Sequence, residues 1–144
     1  MSEPSPSDRT TVERGQAAAL GINEAYISLL VERFYEAVRV DPALGPVFAA
    51  AIGADWTPHL ATMKRFWSSV ALGTGVYEGR PVPAHARHRD ITPEHFERWL
   101  VLFRETLEET APCPDAADFF LERAARIGKS LKLALFGLPG LARD

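Results

Sequence analysis

Cysteine is almost missing from this chain: Cys113 is the only one in 144 residues, so no internal disulfide can form. It stands in Pro112-Cys113-Pro114, which reads as an exposed turn with a free thiol, the usual state in a reducing cytoplasm. No apolar run approaches the roughly 18–20 residues that span a bilayer. The first nine residues are rich in Ser and Pro and hold no apolar core of a secretory signal. A soluble, cytoplasmic chain with no membrane contact is therefore expected. Positive charge is not in excess either: 16 Lys and Arg against 19 Asp and Glu leave a net charge of -3. That disfavours nucleic acid, which calls for a basic patch. No segment alternates apolar and polar residues over a useful length, so strands are not expected. There is no P-loop, no Gly-rich dinucleotide fingerprint, no Gly-x-Ser-x-Gly and no His-Glu-x-x-His.

What is present is helical periodicity. The chain is 47% hydrophobic and 24% charged, an ordinary balance for one globular domain with a real core. Residues 1–19 read as a flexible tail and 20–144 as the domain. Asn23 is a good N-cap for a helix to Val40, with Ile27, Leu30, Val31, Phe34, Tyr35 and Val38 on one stripe. Asp41-Pro42 ends it. Pro46 to Ala51 offers a turn or two of helix, closed by Gly53. Thr57-Pro58 opens the next helix, to about Leu72, whose stripe is His59, Met63, Phe66, Trp67 and Val70. A Gly- and Pro-rich loop follows, and Pro83 to His88 suits a short helix. Thr92-Pro93 starts a helix to Thr110 with Phe96, Trp99, Leu100, Phe103 and Leu107 inward. Asp115 is the expected cap of the last helix, ending at Gly137. The fold class is all-α, two helix pairs around one core.

The informative residues are polar or aromatic groups on inward stripes. Tyr35, His59 and Trp99 are three hydrogen-bond donors, each of which is also an ordinary way to fill a core. His85 and His88 lie three apart on a short polar segment, and nothing in their spacing chooses between them as a metal ligand. A haem needs one neutral imidazole on iron, an apolar slot and, for a polarised ligand, a donor opposite the histidine. The chain offers all three.

Ordered landmarks make the pattern specific. They are Phe34-Tyr35-Glu36-Ala37-Val38-Arg39, Leu44-Gly45-Pro46-Val47-Phe48, Ala51-Ile52-Gly53, Trp56, His59, Phe66-Trp67, Tyr77 to Pro81, His85, and His95-Phe96-Glu97-Arg98-Trp99-Leu100. In this the sequence resembles the truncated haemoglobins, most closely their group III. The resemblance covers about residues 20–137. It implies a shortened globin fold, a two-over-two helical sandwich around haem b. It makes His85 the iron ligand and places Tyr35, His59 and Trp99 on the distal, ligand-binding side. Phe48, Met63, Phe66 and Trp99 would contact the porphyrin.

Two donors on one diatomic ligand would slow its release, which suits redox chemistry on O2 and NO better than transport. The expected activities are dioxygenation of nitric oxide or peroxide-type reactions, with CO as a further ligand and electrons from a separate reductase, since no flavin or nicotinamide domain is present. The alternatives are a non-catalytic gas binder or sensor, or a haem-free helical interaction module. His59 stands in the first turn of its helix. From there an imidazole can swing between pocket and solvent, with protonation favouring the outward position.

Overall fold

The structure, a computed structural model, describes residues 15–76 and 91–137. After a helical stretch at residues 15–19, five helices follow in order among the described residues: α1 Glu24–Val40, α2 Leu44–Ile52, α3 Thr57–Leu72, α4 Pro93–Thr110 and α5 Pro114–Phe136. There is no strand among the described residues, and no helix among them is long and apolar enough to cross a membrane. The segment from Pro83 to His88 lies outside the described residues.

Local chemistry accounts for most boundaries. The Asn23 side chain accepts the Tyr26 N–H at 2.8 Å, as an N-cap should. Thr92 precedes Pro93, and its backbone N–H donates to His95 Nδ1 at 3.0 Å, so a histidine fills the usual Glu or Gln place of a capping box. Gly73 ends α3 with φ of 66°, the left-handed conformation that glycine adopts without steric cost. At the α1–α2 corner a Cβ on Gly45 would lie 2.8 Å from the Arg39 carbonyl oxygen, so only glycine lets the two helices meet this closely.

Several boundaries differ from the sequence expectation. Residues 15–19, assigned to the flexible tail, are helical, and Ala17 is fully buried. The Cys113 Sγ lies 3.6 Å from the Leu20 carbonyl, so Cys113 is half-buried against the N-terminal segment instead of exposed. Helix α2 is nine residues long, more than the expected turn or two, and the Asp41 side chain caps its start: Oδ2 accepts from Ala43 and Leu44 N–H at 3.1 and 2.9 Å. Pro46 falls in its first turn, where a missing N–H costs nothing. The cap of α5 is Cys113, not Asp115, which lies inside the first turn, where a carboxylate suits the helix dipole. In α3 the fully buried side chains are Trp67, Ser68 and Ala71, so the most buried line is rotated from the stripe expected.

The helices α4 and α5, joined by a three-residue turn, pack as a hairpin, and α1 packs against α2, α3 and α4. Rings fill the interior. Trp67 stacks on Phe103 with centroids 5.1 Å apart, Phe103 stacks on Trp99 at 5.2 Å, and Phe34 sits edge-on to both Trp99 and Phe103. Phe34, Phe103 and Phe120 are essentially excluded from water. Each contributes about 1.5–3 kcal/mol through burial alone.

Candidate functional site

At one edge of this packing the side chains become polar. Tyr35 stays on the inward stripe of α1 and is 5% exposed. Its ring meets Phe34 and His59 edge-on at 4.9 Å each, with Phe48 at 5.9 Å and Trp56 at 6.4 Å. The Trp99 indole is the polar neighbour of the Tyr35 hydroxyl, and both rings pack edge-on against Phe34; the indole N–H can only donate, while the hydroxyl oxygen can accept. Burial pushes the Tyr35 phenol well above its ordinary pKa, and the neighbouring Trp99 indole offsets this only in part. The hydroxyl therefore keeps its proton at any physiological pH. It has an O–H to give, and its oxygen can accept from the neighbouring indole.

Each partner is held from behind. Trp99 stacks on Phe103 with 5° between the rings. The Trp56 indole N–H donates to the Gly53 carbonyl at 3.0 Å, and the Arg39 guanidinium lies 4.8 Å over its ring. His59 is half-exposed as a residue, yet its Nε2 is buried, with Phe48 at 6.3 Å. The imidazole thus occupies the inward position.

The structure brings Tyr35, His59, Phe48 and Trp99 into one cluster. Met63 and Phe66 follow His59 at four and seven residues along α3, on the same face. Both are half-buried and packed against the core, as are Leu60, Val70, Trp99 and Leu100. His85 and His88 lie outside the described residues, as do Arg87 and Arg89. Arg65 of α3 donates to Thr62 Oγ1 at 3.1 Å on the surface.

Two contributors escaped the sequence reading. Trp56 entered only as a landmark, although it walls Tyr35. Asp41 was read only as a helix stop. The spacing of Asp41 to Leu44 is that of a side-chain cap and was the available signal.

These residues fit a haem on the described side. Half-buried apolar side chains suit the macrocycle, and buried O–H and N–H donors stand beside them for a polarised ligand. The fold and this cluster together define a globin of the shortened, two-over-two kind. A match to the family described as Bacterial-like globin spans residues 18–130. The chain is 37% identical over 122 residues to the group 3 truncated hemoglobin ctb of Campylobacter jejuni, covering 83% of this chain and 95% of that one. The crystal structure of the group III truncated hemoglobin from Campylobacter jejuni superposes with a TM-score of 0.77 at 36% identity, covering 83% and 96%. The group II 2-on-2 hemoglobin of Agrobacterium tumefaciens, 23% identical with a TM-score of 0.66 over 80% and 91%, shares the fold. The chain belongs to the bacterial-like globins and, within them, to the group III truncated haemoglobins. The family implies binding of haem and of small gaseous ligands.

Proposed function

We propose that this globin holds haem b through His85 and retains a diatomic ligand for redox chemistry, most concretely the dioxygenation of nitric oxide or peroxide-type reactions, not for transport. Haem supplies the iron that binds the ligand and exchanges its electrons. The protein supplies the surroundings. Phe48, Met63, Phe66 and Trp99 would line the macrocycle and exclude water. The Tyr35 hydroxyl, kept protonated by burial, would donate to the ligand. Trp99 would orient that hydroxyl with its single indole N–H. Electrons for repeated turnover would come from a separate reductase, and the setting would be the cytoplasm.

The observation that supports this reading is the burial of the Tyr35 hydroxyl with the Trp99 indole beside it. Hydrogen bonds to charged or strongly polarised acceptors contribute about 1.5–3 kcal/mol each. Each 1.4 kcal/mol is a factor of ten, so one such donor slows ligand release by roughly 10- to 100-fold. A carrier needs fast release and this site opposes it.

The test is a rapid-mixing experiment on the haem-loaded, reduced and oxygenated protein. Addition of nitric oxide should yield one nitrate per haem and leave ferric protein. Fast oxygen release with no nitrate formed would favour a carrier or sensor instead.

A further inference from the structure

Asp41 stands where three helices meet. It is the C-cap residue of α1 and is 5% exposed. Both carboxylate oxygens are used. The Oδ2 atom caps α2 through Ala43 and Leu44 N–H. The Oδ1 atom accepts from Arg98 Nε at 2.9 Å and from Arg98 Nη2 at 2.7 Å. Arg98 belongs to α4 and directly precedes Trp99. The three helices tied by this one carboxylate each supply a residue of the candidate site: Tyr35 from α1, Phe48 from α2 and Trp99 from α4.

A cap for α2 needs only one of these oxygens. The other reaches across 57 residues of sequence to a guanidinium. The pair is also unequal: the Arg98 side chain is 43% exposed, while that of Asp41 is 2% exposed. An exposed ion pair contributes little and slips easily. Here one charge is buried and met by four donors, so any slip of α4 strips hydrogen bonds from a carboxylate that water cannot reach. The placement of the Trp99 indole beside the Tyr35 hydroxyl depends on that same alignment, since the two rings come from different helices and meet across Phe34.

We propose that the Asp41–Arg98 pair is a positioning device for the ligand-binding face: it fixes α4 against α1 so that the Trp99 indole stays beside the Tyr35 hydroxyl. Asp41 acts through Trp99 and touches no ligand. The proposal rests on the reading of Tyr35 and Trp99 as the ligand-holding groups.

The experiment uses the haem-loaded full chain. Oxygen dissociation rates, the infrared stretch of added carbon monoxide and the urea midpoint are measured for Asp41→Asn, Arg98→Gln and Trp99→Phe, and for Asp41→Asn combined with Trp99→Phe. Arg98→Gln leaves the α2 cap intact and serves if Asp41→Asn folds poorly. Trp99→Phe should raise the dissociation rate about tenfold. Asp41→Asn and Arg98→Gln should each raise it about threefold or more and shift or broaden the carbon monoxide band. In the Trp99→Phe background, Asp41→Asn should add nothing to the rate while still lowering the urea midpoint. An undiminished rise in that background, or wild-type rates in both single variants, would overturn the positioning role and leave the donor reading intact. A wild-type rate in Trp99→Phe would overturn the donor reading itself, and the positioning role with it.

Discussion

Two apolar regions of this molecule are built from the same residue types on the same helices and end in different states. On α4, Phe103 and Leu107 are buried to 1% exposure, while Trp99 and Leu100, one turn earlier or so, are only half-buried. On α3, Trp67 is 3% exposed and its neighbour Phe66 is half-buried. In the first region rings close on rings, as Trp67 on Phe103 and Phe120. In the second, side chains pack on the core with one flank and leave the other accessible. Periodicity records only that a side chain turns inward. Whether it meets another helix or lines a ligand slot depends on what the tertiary packing places opposite.

The sharpest way to separate the regions is to empty one and spare the other. Replacing the expected iron ligand, His85→Ala, should abolish stable haem binding or make it depend on added imidazole, with the helical fold intact. Haem titration followed by the Soret band, with far-ultraviolet circular dichroism, checks both. If His88→Ala has this effect and His85→Ala does not, the ligand assignment moves to His88.

Stability should divide the other way. Phe103→Ala removes a fully buried ring from between two indoles and should cost about 3–5 kcal/mol in urea unfolding. Met63→Ala, on the half-buried face, should cost the haem-free protein less than half as much. Equal costs would mean that the half-buried face is ordinary core, and the distinction drawn above would fail.

Ligand retention comes next. Tyr35→Phe keeps the ring contacts with Phe34, Phe48 and His59 and removes only the hydroxyl. The oxygen dissociation rate should rise by about tenfold or more, the loss of one charge-assisted hydrogen bond. Stopped-flow displacement by carbon monoxide reads this directly, and an unchanged rate would remove Tyr35 from the ligand's neighbourhood.

A smaller effect follows from acid. The Arg98 hydrogen bonds hold the Asp41 carboxyl below its ordinary pKa, against burial and with help from the Leu44 and Ala43 amides. A carboxylate with a lowered folded-state pKa contributes stability above its unfolded value of about 3.9 and loses it as pH falls further. Acid unfolding of the parent should therefore steepen below about pH 4. Asp41→Asn, less stable at neutral pH, should lose less on acidification. Parallel curves for the two proteins would show that the pair carries no such linkage.

The smallest change is expected at His59. Its inward imidazole lies against Tyr35 at the start of α3, so His59→Leu should alter ligand association more than dissociation. Flash photolysis with carbon monoxide measures the first. A larger effect on dissociation than that of Tyr35→Phe would make His59 the principal donor in place of Tyr35.

Much of the architecture was written in short-range signals. Asn23, the Thr92-Pro93 pair, Gly73 and Gly137 mark helix ends because caps and left-handed turns act within three or four residues of backbone. The inward stripe of α1, with Tyr35 on it, follows from 3.6-residue periodicity and is buried as written. Other features had no local signature. Cys113 looked exposed between two prolines because nothing nearby in sequence reveals that Leu20 packs on it. The line of Ser68 and Ala71 on α3 is set by how that helix rolls against α1, where Ser68 donates to Glu24 at 2.6 Å. The meeting of Trp99 and Tyr35 across Phe34 and the grip of Asp41 on Arg98 join helices far apart in the chain. Sequence determined which segments are helical and which residues turn inward, since those depend on neighbours along the backbone. Tertiary structure alone decided which inward residues meet, because the roll and height of each helix are fixed by summed packing and by the few buried polar groups that find partners in only one arrangement.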